Sequence, residues 1–132
     1  SFGESPFECA IREAREETGL FLSEDDLSLF GYVSEKGYES TTNWLMFLFD
    51  CKKVLSSLPP DIDEGCFCFY SRRDIDDLDI PPTDHQLVWP LFDKRKEGFW
   101  GLRAECHLNR PLKFRIEESP CFGDSASSNP VP

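Results

Sequence analysis

Three observations predict an α/β fold for this chain, a mixed sheet flanked by helices. A short amphipathic segment with both ends marked opens the sequence, and two apolar runs of strand length follow it. A Pro/Gly-rich break then leads to a further strand-like run, helical segments and a last apolar run. The 132 residues, 39% apolar with twelve Phe, are enough for one modest core. The expected order is helix, strand, strand, strand, helix, strand.

Taken in chain order, ESPFECAIREAREETGL is the first helix. Ser5 is its N-cap, Pro6 suits the first helical position, and Glu8 stands where a capping box requires it. Phe7, Ala10, Ile11 and Ala14 recur at helical spacing as the buried stripe, and Gly19 is the C-terminal stop. A turn then leads to a strand over about Leu27 to Ser34. The run NWLMFLFDC, Asn43 to Cys51, is apolar almost throughout, the pattern of a strand buried on both faces. SLPPDIDEG is a loop, because two prolines and a glycine interrupt any regular structure. CFCFYS is read as the third strand, RRDIDDL as the start of a short helix, and IPPTDHQLVWPLF as a further helix capped by Thr83 or Asp84. GFWGLRAECHL closes the sheet. Residues 1–118 are expected to form one domain, and 119–132, rich in Ser and Pro, a flexible tail.

Charge narrows the function classes. A net charge of −11 argues against nucleic-acid polymers and anionic membranes as partners, since both attract basic surfaces. It is compatible with divalent cations that bridge to an anionic small molecule. Six cysteines contain no C-x-x-C motif, and only His85 and His107 could add imidazole ligands, which argues against a zinc site. No signal peptide or membrane span is visible, so the expectation is a cytoplasmic protein with free thiols.

On a helix at about 100° per residue, Glu13, Glu16 and Glu17 fall within roughly one third of the circumference, beside the apolar stripe. Spacing alone leaves two readings open. One is a solvated face with Glu/Arg pairs; the other is an oxygen-rich cluster for Mg²⁺ or Mn²⁺.

The register of Glu4, Arg12, Glu13, Ala14, Glu16, Glu17, Gly19 and Leu20 resembles the signature of the Nudix hydrolases, G-x5-E-x7-R-E-U-x-E-E-x-G-U with U a bulky aliphatic. Ala14 is small for its U position. The opening glycine of the signature would fall three positions before Ser1, so on this resemblance the chain begins inside the motif. Its N-terminal strands are then expected to be missing, with a bare apolar edge near Leu45 to Phe49 where another chain, including a second copy in a homodimer, can dock. Downstream, Asp63-Glu64-Gly65 ahead of CFCFYS resembles the second half of many Nudix domains.

The resemblance implies a Nudix-like α/β/α sandwich and a hydrolase of a nucleoside diphosphate linked to another moiety, with water attacking phosphorus. Glu16 and Glu17 would be the main ligands of Mg²⁺ or Mn²⁺, helped by Glu13, Glu4 and Glu64. Glu13 comes first as the base and Glu64 second, and Arg12 would pair with a neighbouring carboxylate to hold the cluster in shape. A non-catalytic module that binds a nucleotide or ADP-ribose-like ligand is the alternative, as is an acidic interaction domain. Substrate-binding residues are not assigned. Trp44, Trp89 and Trp100 are read as core or rim aromatics, one of which, or Tyr38, could stack on a base, and Arg72 and Arg73 as salt-bridge partners.

Overall fold

The structure is a computed structural model and describes residues 3–37, 43–106 and 110–120. Tyr38, His107 and most of the expected tail lie outside the described residues. The chain divides into two compact units, one of Ser1–Ser28 with Cys51–Asp79, the other of Leu29–Asp50 with Ile80–Pro132.

The first unit holds helix α1, Pro6–Thr18. Its ends follow from local chemistry. The Ser5 hydroxyl accepts from the Glu8 amide, the Glu8 carboxylate accepts from the Ser5 amide, and Gly19 ends the helix at φ 77°. That left-handed angle suits a residue without a Cβ, and its amide closes on the Arg15 carbonyl. The apolar stripe is half-buried rather than buried, and no residue of α1 is fully enclosed. After a 3₁₀ turn, Glu24–Asp26, the two stretches of the unit meet. The Lys52 amide donates to the Asp26 carbonyl at 2.7 Å, and Lys53 Nζ to the Phe21 carbonyl at 3.0 Å.

In the second unit, strands β1 (Leu27–Lys36), β2 (Asn43–Cys51), β3 (Trp100–Glu105) and β4 (Lys113–Glu118) form one sheet in the order β2-β1-β3-β4. β1 starts two residues before this unit does. β1 runs parallel to β3, and β3 antiparallel to β4, so the sheet is mixed. Gly31 faces Trp100 across the parallel pair, where a Cβ would come within 2.4 Å of the Trp100 carbonyl oxygen. Phe30, Val33, Leu48, Leu87, Leu91, Trp100, Leu102 and Ala104 make the core, with Val33, Leu87, Leu91 and Leu102 fully enclosed.

Several expectations are corrected. Residues 66–70 form no strand, because no neighbouring chain supplies a ladder to them; strand propensity without pairing is not enough. The fourth strand is instead β4, whose Phe114 and Ile116 alternate with charged residues at the two-residue period. β2 is not buried on both faces. It ends the strand order, and Trp44, Leu45 and Phe47 are exposed. Thr83 does not cap a helix, for its backbone is already helical. Asp84–Val88 make a π-turn that runs into α3, Trp89–Asp93, after the short helix α2, Arg72–Ile75, capped by Ser71. Pro90 has no amide to donate to Gln86, and the helix widens so that the Trp89 amide reaches the Asp84 carbonyl. Among the described residues, no helix is long and apolar enough to cross a membrane.

Candidate functional site

The acidic residues singled out by spacing are organised by one arginine. Arg12 Nε donates to Glu4 Oε2 at 2.8 Å, and Nη1 to Glu16 Oε2 at 3.0 Å. Nη2 donates to Cys9 Sγ at 3.7 Å and lies 3.9 Å from Glu13 Oε1, to which Cys9 Sγ itself donates at 3.6 Å. The helical repeat explains why these groups meet. Cys9 and Arg12 are three residues apart, and the pairs Cys9/Glu13 and Arg12/Glu16 are four apart. Glu4 reaches the same point because the Ser5–Pro6 cap turns the chain back at the helix start. The planar guanidinium offers five donors, which lets one side chain satisfy several acceptors.

The electrostatics follow from this geometry. Arg12 is held more firmly in its charged form, by the hydrogen bond to Glu4 first and by that to Glu16 second. Glu4 is the most enclosed member, with its side chain 18% exposed against 60% for Glu16. An open cavity of about 650 Å³ lies over the same face, lined by Glu4, Glu8, Ile11, Arg12, Arg15 and Glu16.

Among the described residues, no three His, Cys, Asp or Glu side chains are gathered to hold a metal ion. The physical reason is the guanidinium, which draws Glu4, Glu13 and Glu16 toward itself and leaves exposed Glu17 outside that network. The donor chemistry nevertheless fits a hard cation, since every candidate ligand is a carboxylate oxygen. Glu64 is not among the residues lining the cavity; it is exposed at the tip of the tight turn that Ile62 and Gly65 close with two backbone hydrogen bonds, 2.9 and 3.0 Å. Cys9, Glu8 and Arg15 were not foreseen as members of this surface. The i, i+3 and i, i+4 spacing from Cys9 to Arg12 and Glu13 was the signal that could have found the first.

A family model described as NUDIX domain matches residues 2–93, more than half of the chain. The uncharacterized Nudix hydrolase YvcI of Bacillus subtilis (strain 168) is 29% identical over 87 residues, which cover 65% of this chain and 55% of that protein. The chain thus spans about half the length of this curated relative. The crystal structure of the mutator MutT protein from Bacillus halodurans is similar at TM-score 0.71 and 20% identity, over 91% of this chain and 78% of the other. At that identity the likeness bears on the fold.

Proposed function

This chain belongs to the Nudix family, and on that premise we propose that it is a divalent-cation-dependent hydrolase of a nucleoside diphosphate linked to another moiety. The observation that carries the reading is the Arg12 network. The residues it joins, Glu4, Arg12, Glu13 and Glu16, are among those the family signature requires in that register, and Glu4, Arg12 and Glu16 line a cavity open to solvent.

Glu16 and Glu17 would hold Mg²⁺ or Mn²⁺, with Glu13, Glu4 and Glu64 as further oxygen donors. Bound there, the cation supplies neutralisation of the diphosphate charge and a lowered pKa for water. The protein's own part is separate from that. Arg12 fixes Glu4 and Glu16 relative to the helix through one oxygen of each, which leaves Glu16 Oε1 for a cation, while Glu4, the more enclosed partner, keeps the arginine in place. Glu13, whose Oε1 accepts from the Cys9 thiol, is the first choice of base for the attacking water, and Glu64 the second. Water then attacks phosphorus and the diphosphate linkage breaks. The substrate is a small nucleotide-type molecule.

A screen of nucleoside diphosphate-linked compounds with Mg²⁺ or Mn²⁺ tests this reading, scoring each for release of the two phosphate-bearing products. Hydrolysis of at least one compound that depends on both the cation and Glu17 supports it. Cation-dependent binding of such compounds without turnover would convert the reading to a binding module.

A further inference from the structure

Two arginines line the cavity on α1, Arg12 and Arg15, and they stand in different surroundings. Arg12 is paired with Glu4 at 2.8 Å and with Glu16 at 3.0 Å. Arg15 enters no ion pair among the described residues, and its guanidinium carbon lies 4.5 Å over the centroid of the Phe21 ring. Phe21 is 67% exposed, so its ring adds little to any core. An aromatic ring open to solvent thus carries a cation that faces the cavity.

The end of the helix builds this contact. Gly19, at φ 77°, turns the chain back, and its amide closes on the Arg15 carbonyl at 2.9 Å. The Leu20 amide donates to Thr18 Oγ1 at 3.2 Å, and Lys53 Nζ donates to the Phe21 carbonyl at 3.0 Å. The backbone that carries the ring is therefore anchored from both sides. An aromatic face attracts a cation through its quadrupole, which narrows the positions open to a long, flexible side chain. The N–H donors of a guanidinium lie at its rim, so contact through the central carbon leaves donors for acceptors in the cavity.

We propose that Arg15 is the phosphate-binding residue of this cavity and that Phe21 positions it, the guanidinium donating to the oxygens of one phosphate of the diphosphate. This deepens the hydrolase reading and rests on it for the substrate. Charge decides between the two arginines. The lining holds three carboxylates, Glu4, Glu8 and Glu16, against two guanidiniums, so an anion meets a small excess of negative charge. The bound divalent cation offsets part of it, and an arginine free to pair must do the rest. Arg12 already directs its donors to Glu4, Glu16 and Cys9. Arg15 keeps its charge and its fork, the geometry that suits paired hydrogen bonds to phosphate oxygens.

Calorimetric titration of the full chain with methylene diphosphonate in the presence of Mg²⁺ tests this. The probe cannot be hydrolysed, so binding is read apart from turnover. Arg15→Gln is expected to weaken binding by about tenfold or more, the scale of a lost hydrogen bond to a charged group, with Mn²⁺ affinity undiminished. Phe21→Leu is expected to weaken the probe several-fold, whereas Phe21→Tyr, which keeps an aromatic face under the cation, binds it as the unsubstituted chain does. Equal affinity in Arg15→Gln or in Phe21→Leu, or no binding of the probe to the unsubstituted chain, overturns the proposal. So does a loss of Mn²⁺ affinity in Arg15→Gln, because Arg15 would then act through the cation. The hydrolase reading falls on a different result, the absence of turnover in the compound screen.

Discussion

Arg12 Nε and Glu4 Oε2 are 2.8 Å apart, and this pair ties the second turn of α1 to the residue just ahead of its cap. The same guanidinium takes Glu16 one turn further on. Arg12 is thus both the organiser of the acidic edge and a competitor for one of its carboxylates.

Arg12→Gln separates those two effects. With the positive charge gone, Mn²⁺ should bind at least as tightly in a calorimetric titration, because the carboxylates lose an internal counter-charge. Hydrolysis should fall by more than about tenfold, a loss of ~1.4 kcal/mol in transition-state stabilisation, because Glu4 and Glu16 are no longer fixed. Loss of Mn²⁺ binding in this variant would mean that Arg12 builds the cation site instead of competing with it.

Glu17→Gln removes a charge and almost no volume from the one signature carboxylate that Arg12 does not hold. Circular dichroism should be unchanged, while Mn²⁺ affinity and turnover both fall, turnover by more than about tenfold. A smaller fall would exclude Glu17 as a primary ligand.

Gly31→Ala tests the parallel pair at the centre of the sheet. The new Cβ would stand 2.4 Å from the backbone carbonyl of Trp100, which cannot rotate away as a side chain could. Relief requires β1 and β3 to separate, so unfolding by urea should show a loss of about 1–3 kcal/mol. Unchanged stability would show that the two strands have room to spare.

Tyr32 donates its hydroxyl proton to Glu117 at 2.8 Å, and the bond to that carboxylate holds the phenol above its ordinary value of 10.0. A group whose pKa is raised by folding contributes stability that is complete below its unfolded value and disappears as pH climbs through the folded one. Tyr32→Phe keeps the ring against Phe99 but removes this contribution. The gap in melting temperature between the two proteins should therefore be present at pH 8 and close above the raised phenol pKa. The site is exposed, so the gap is small. A gap that widens at high pH would reverse the assignment.

The sequence by itself determined the features governed by short-range chemistry. The limits of α1 follow from Ser5, Pro6, Glu8 and Gly19, all within a turn of what they control. The grouping of Glu13, Glu16 and Glu17 on one edge follows from the helical repeat, and β1 and β3 from apolar runs long enough to pair. Family membership was legible because a signature of fixed spacing lies on one helix. β4 was missed in the sequence, although KFRIEE carries its two-residue alternation.

Tertiary structure decided the rest. CFCFYS has strand composition but no partner, and β2 is apolar on both faces yet lies at one end of the strand order, because burial depends on which neighbour pairs with a segment and not on its composition. The role of Arg12 was of the same kind. Spacing placed it among the glutamates, but only the fold of the Ser5 cap brings Glu4 back to its Nε and lets one guanidinium claim carboxylates from both sides. An ion pair is set by where side chains end in space, and residues eight apart in sequence meet only when a cap turns the chain back on its own helix.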